Sequence, residues 1–245
     1  MKTCARFRTM LPVLLVMVFF TCASVASTTV KVMTYNVNEG TDFGAIIGVL
    51  SNPNATADDF QAAVTQTISE VTASNPVLRA YLIATEIANA QPDLVGLQEA
   101  AVWTFPDNGQ IVTIDLLQMI LDNLGGQYTA VVTVPEFQIN IAQLGVGFTD
   151  RDVILARTDK PALKITGKQY GHYSALVPLP GFYPYLPPTT IRRGWAYVDV
   201  RLHRTPFRFI TTHLEDGTNT ISPIFAWVQA LQEIQLVYSR MSVNS

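Results

Sequence analysis

The feature that most constrains this chain is a change of hydrophobic period along its first hundred residues. Over residues 57–73 the apolar side chains Phe60, Val64, Ile68 and Val71 share one helical face. Thr56 with Asp59 reads as a capping box at the start of that helix, Asp standing where Glu or Gln is usual. A second helix is expected from Pro76, a favoured first helical residue, to about residue 90. Pro92-Asp93 then breaks the pattern, and residues 94–98 (LVGLQ) form an apolar run of strand length. A β-type run precedes the helices at 30–36, and a third helix is expected at 114–124, stopped by Gly125-Gly126. Strands are expected at 128–134, 152–157, 163–168, 195–202 and 206–212, and a last helix at 224–239. Strand, helices, strand, helix and then mostly strands spell an α/β (α+β) fold with a mixed sheet. Residues 170–188 have no period and are rich in Pro and aromatic rings, so they read as one long loop.

The first 26 residues are of another kind. Lys2, Arg6 and Arg8 precede an apolar run over 10–20, followed by Ala23-Ser24-Val25-Ala26. This is the three-part pattern of a secretory signal peptide, with Ser24 and Ala26 filling the −3 and −1 positions and cleavage expected after Ala26. The apolar run is shorter than the about 20 residues a membrane-spanning helix needs. Bulky Phe20-Thr21 before Cys22 argues against a lipid anchor there. The expected organisation is a signal peptide at 1–26 and one secreted or periplasmic domain at 27–245. Removing residues 1–26 from 245 leaves 219, enough for one substantial core. It takes three of 16 basic residues, leaving 13 against 19 acidic ones, a net −6 in place of −3. A chain this acidic has no broad electrostatic hold on nucleic-acid phosphates. Cys4 and Cys22 both go with the leader, so the remainder has neither disulfide nor thiol chemistry.

Three polar residues sit at the ends of apolar strands. Asn36 follows VKVMTY, Glu99 follows LVGLQ and His213 follows RFITT. Strand ends are where a sheet rim gathers side chains distant in sequence. A carboxylate and an amide oxygen are hard donors suited to Mg²⁺ or Mn²⁺, and a histidine beside such an ion can stabilise or protonate a phosphoryl oxygen. Taken singly, each has an ordinary explanation: a turn Asn, a surface Glu, a half-buried His.

Five stretches occur in a set order: VMTYNV, QPDLVGLQEA, RDVILAR, RRGWAYVDV and FITTHLE. Together they resemble the endonuclease/exonuclease/phosphatase superfamily of DNase I-like nucleases, neutral sphingomyelinases and inositol-polyphosphate 5-phosphatases. The resemblance spans roughly 29–235, with a helical insertion at about 41–75. It implies a four-layer αββα sandwich with the active site at one rim. It implies that Glu99 binds the metal, Mg²⁺ or Mn²⁺, that Asn36 stands beside metal and phosphate, and that His213 contacts the scissile phosphate. Arg193 and Asp152 lie in family-like stretches and are candidate substrate-binding residues. The implied reaction is attack of water on a phosphodiester or phosphomonoester, of nucleic acid, a phospholipid or a small molecule. The aromatic rings within 170–188 suit contact with a membrane surface, and no stable protein partner is expected.

Two motifs that the resemblance calls for do not occur. No strand ends in Gly-Asp-Phe-Asn, and no Ser-Asp-His follows His213. Arg192-Arg193-Gly194 also stands where some nucleases carry a further acidic residue. The expectation is a sandwich incomplete in its C-terminal strands, a fragment or short form of weak or no activity. The alternative is a non-catalytic exported β-rich binding domain.

Overall fold

A computed structural model of the protein describes residues 29–215 and 222–241; the leader expected at 1–26, with both cysteines, lies outside them. The apolar run after Pro92-Asp93 is strand β2 (Leu94–Gln98), and all five of its residues are buried. Such a strand needs cover on both faces. Beside it β1 (Val32–Asn36) runs parallel, Val32 opposite Leu94 and Asn36 opposite Gln98. Two polar strand ends thereby finish side by side. Across the other edge of β2 lies β6 (Val146–Arg157), antiparallel. The first part of β6 pairs instead with β3 (Val102–Asp107), which turns back into β4 (Gln110–Asp115). Strand β5 (Tyr128–Ile141) lies along the opposite edge of β6. The order β1-β2-β6-β3-β4, with β5 on β6, makes a six-stranded mixed sheet. A second sheet is antiparallel, with β10 (Gly194–Leu202) between β11 (Thr205–Thr212) and β7 (Leu163–His172). The short strands β8 (Val177–Leu179) and β9 (Thr189–Ile191) pair with each other.

The helices are α1 (Gly44–Leu50), α2 (Ala57–Ala73), α3 (Pro76–Ala90), α4 (Leu116–Asn123) and α5 (Ser222–Met241). The capping box on α2 is present, Thr56 accepting from the Asp59 N–H while the Asp59 carboxylate accepts from the Thr56 N–H at 2.8 Å. Helix α4 starts at Leu116 rather than Ile114 because 114 and 115 complete β4, and Asp115 caps it.

Alternation along the strands sorts their side chains into layers. Odd positions, Val95 and Leu97 of β2 with Val153 and Leu155 of β6, meet Ile83, Ile87, Leu117 and Ile120 of α3 and α4. On the other face, Leu94, Val132, Val134, Ile154 and Ala156 meet Ala196, Val198 and Val200 of the second sheet. Farther along that face, Val146 and Phe148 pack with Trp103 and Phe105 against Phe60, Val64 and Val71 of α2. Each such side chain contributes about 1.5–3 kcal/mol when fully buried. The result is an α+β architecture of helices on a sheet that faces a second sheet.

Several expectations are corrected. The β3–β4 hairpin was not foreseen, although its turn is Asn108-Gly109 with φ of 48° and 79°, the pairing that a two-residue hairpin with both centres at positive φ requires. Strands β5, β6 and β7 are longer than expected, and 170–172 belong to β7. Part of the 170–188 segment packs on the core: Phe182 and Tyr185 stack on Phe60 at 4.7 and 5.3 Å, and Gln61 donates to the Tyr185 hydroxyl at 2.6 Å. Tyr173 is buried, while Tyr183 and Tyr170 face outward.

Candidate active site at the sheet rim

The parallel pairing of β1 and β2 delivers Asn36 and Glu99 to one rim. Glu99 follows β2 in the left-handed conformation, φ 62°, an uncommon and costly geometry for a residue with a side chain. There Asn36 Nδ2 donates to Glu99 Oε1 at 2.5 Å, and the Glu39 N–H donates to Oε2 at 3.2 Å. The loop after β1 is pinned from three sides. Arg79 of α3 donates to the carbonyls of Val37 (2.7 Å) and Asn38, the Trp103 indole donates to the Glu39 carbonyl at 2.9 Å, and the Asn38 N–H donates to Asn36 Oδ1 at 2.9 Å.

His213 arrives from the second sheet, just past β11, with its Nε2 at 3.6 Å from Glu99 Oε1. Its Nδ1 lies 3.3 Å from Arg193 Nη1 and 3.9 Å from Asp152 Oδ1. Arg193 precedes β10 and is gripped by Asp150 Oδ2 at 3.1 Å and Glu215 Oε2 at 3.3 Å. All five expected residues therefore meet, but not in the roles expected of all. Asp152 is fully buried beneath His213, so its neighbour is the ring and not a substrate. Arg193 is mostly buried and spends its donors on two carboxylates and the histidine.

Behind the rim stands a feature that the sequence reading missed. Asp150 and Asp152 occupy alternate positions of β6, and Glu136 faces them from β5 at a register shift between Pro135 and Phe137. All three are buried, and among the described residues both oxygens of Glu136, both of Asp152 and Oδ1 of Asp150 make no hydrogen bond of normal geometry, only the Gly194 and Glu99 N–H groups approaching Glu136 and Asp152. Burial, reinforced by Asp152 and Asp150, pushes the Glu136 carboxyl up to about 9. Desolvation raises Asp150 to about 6 against the pull of Arg193, and lifts Asp152 and Glu39 well above the usual carboxylate range. The same surroundings hold the Arg193 guanidinium firmly charged, Asp150 and Glu215 outweighing its own burial. The only sequence signal was the period-two pair in Asp150-Arg151-Asp152.

The donor chemistry suits a hard divalent ion. Glu99 and the Asn36 amide oxygen are adjacent hard oxygens at a partly open rim, backed by carboxyl groups with unsatisfied oxygens. Among the described residues no three His, Cys, Asp or Glu side chains converge as a closed metal centre would. An open Mg²⁺ site needs only one or two protein ligands, water and substrate supplying the rest. A depression of ≈ 430 Å³ bordered by Thr104, Gln138, Asn140 and Thr149 lies elsewhere and contains none of these groups.

No family model and no curated protein matches the chain. Solved structures do show likeness. A mannosyl-6-phosphatase from Bacteroides thetaiotaomicron is 15% identical over 85% of this chain and 60% of its own, with a TM-score of 0.45. An endonuclease/exonuclease/phosphatase family protein from the same organism is 16% identical over 86% and 57%, TM-score 0.45. TDP2 from Caenorhabditis elegans is 16% identical over 69% and 38%, TM-score 0.40. The chain thus spans 60% or less of the length of each of these proteins.

Proposed function

We propose that this protein is an exported phosphoesterase-type hydrolase, acting on a phosphodiester or phosphomonoester with a divalent metal at the rim. The observation that supports this best is convergence. Asn36, Glu99 and His213 come from three strand ends far apart in sequence, and they stand within 2.5 and 3.6 Å of one another. Export rests on the sequence of residues 1–26.

Glu99 and Asn36 Oδ1 would hold Mg²⁺ or Mn²⁺, which when bound would offset charge developing on the phosphoryl oxygens. The Asn36 amide and the Glu39 N–H fix the Glu99 carboxylate in place. Arg79 keeps the 37–39 loop from moving away. His213, with its ring at the rim, is placed to donate to a phosphoryl oxygen, a contribution of about 10²–10⁴ in rate for a positioned acid. Among the described residues none is assigned as the base that activates water.

The test is hydrolysis of bis-p-nitrophenyl phosphate, plasmid DNA and sphingomyelin by the purified protein in Mg²⁺ or Mn²⁺. Turnover on one of them that falls at least about 100-fold in both Glu99→Ala and His213→Ala is expected. Equal rates in wild type and both variants would sink the reading and favour the non-catalytic binding domain.

A further inference from the structure

Among the described residues, two groups of opposite character lie near His213 Nδ1. Arg193 Nη1 is 3.3 Å away and Asp152 Oδ1 is 3.9 Å away. The distinction decides where the ring proton sits, because a neutral imidazole has one nitrogen that donates and one that accepts. A guanidinium has five N–H groups and no acceptor, so a nitrogen facing it must present its lone pair. An ionised Asp152 carboxylate, an acceptor only, would favour the opposite arrangement, a proton on Nδ1.

We propose that Arg193 is a positioning residue that holds His213 as the Nε2–H tautomer. Three observations carry it. The Arg193 contact is the shorter of the two and lies within hydrogen-bond range, whereas the Asp152 oxygen lies beyond it. Arg193 is itself immobilised, its Nη1 on Asp150 and its Nε on Glu215, so its direction does not depend on the histidine. Nε2 then carries the proton and faces the rim, 3.6 Å from Glu99 Oε1. An arginine here does what a carboxylate at Nδ1 would undo: it turns the ring's donor outward and its acceptor inward.

The inference deepens the phosphoesterase reading and rests on it only for the use made of that proton, a hydrogen bond to a phosphoryl oxygen. The tautomer is a property of the protein alone, so the two can fail separately. The experiment is long-range ¹H–¹⁵N correlation on the purified protein with ¹⁵N-labelled histidine at pH 8. His172 and His203 are the other two histidines, and His213→Gln assigns the signals. Wild type should show Nε2 protonated and Nδ1 bare. Asp152→Asn should leave that pattern unchanged. Arg193→Met should move the proton to Nδ1, toward Asp152, changing the tautomer ratio at least about fivefold. A purely structural role for Arg193 would not reverse the tautomer. An Nδ1–H ring in wild type, a reversal in Asp152→Asn, or an unchanged ratio in folded Arg193→Met each overturns the proposal. If Arg193→Met does not fold, the wild-type and Asp152→Asn spectra still decide it. Absence of turnover with the expected tautomer would instead count against the phosphoesterase reading alone.

Discussion

Strand β6 carries two regions on the same face that are treated very differently. Ile154 and Ala156 are packed with Leu94, Val132, Val134, Ala196, Val198 and Val200 between the two sheets. Two and four residues earlier, Asp152 and Asp150 are just as buried, joined by Glu136, yet among the described residues five of their six carboxyl oxygens make no hydrogen bond of normal geometry. Apolar packing resumes at Phe148 and Val146. One region therefore stabilises the fold by burial, while the other subtracts from it, since buried carboxyl groups without hydrogen bonds are costly whether charged or neutral. Among the described residues the Asp150–Arg193 ion pair offsets part of that cost, and Glu136 and Asp152 have no ion pair of their own with a lysine or arginine. The band lies directly behind Glu99, Arg193 and His213, the position expected of it if the proposed rim site is the reason it is kept.

The comparison can be broken at several points. The largest effect should come from Arg193→Ala, which strips the acid band of its main counter-charge and leaves Asp150 and Glu215 unpaired. A loss of about 3–5 kcal/mol is expected in denaturant unfolding. A loss under 1 kcal/mol would mean that the band is already neutral without the arginine. In the apolar region Ile154→Ala should cost about 2–5 kcal/mol by opening a cavity between the sheets, and it should do so equally at pH 5 and pH 8.

Glu136→Gln should behave in the opposite sense. The Glu136 carboxyl is raised from 4.5 to about 9 in the folded protein, so the folded state binds the proton more tightly than the unfolded chain. Its contribution is fully present below the unfolded value and is lost as pH rises toward 9. Asp150, raised from 3.8 to about 6, acts likewise over the lower part of that range. Wild type should lose stability between pH 5 and pH 8 at up to about 1.4 kcal/mol per pH unit for each titrating group. Glu136→Gln should flatten that slope and be the more stable protein at pH 8, by about 1–3 kcal/mol. A parallel slope in the two proteins would show that Glu136 is not held as the neutral acid.

The same contrast explains what could be read in the sequence. The apolar region was legible because 94–97 and 153–156 are unbroken apolar runs of strand length and 195–202 is mostly apolar and β-branched or aromatic. Asn36, Glu99 and His213 were legible for a related reason, each standing at the polar end of a stretch of strand composition. Asp150 and Glu136 hid, and Asp152 was legible only as a candidate substrate contact, because acids are depleted in strands and rarely buried. Their charge therefore made 146–151 look like loop and cut β6 short. The Asp107-Asn108-Gly109-Gln110 turn carried a hairpin signal that went unread, since Pro106 and the polar residues around the turn obscured the flanking strands. Nothing local in Arg193 or Glu215 marks a shared contact, as they are brought together only by the tertiary fold.

The central claim is that the rim, and not the acid band behind it, is the cation-binding region, with Glu99 as its carboxylate. Calorimetric titration of Mn²⁺ into the purified protein and into Glu99→Ala tests it most directly. The account predicts weak, saturable binding to wild type that Glu99→Ala abolishes and Glu136→Gln leaves in place. Binding that survives Glu99→Ala, or no binding to wild type at all, would contradict it.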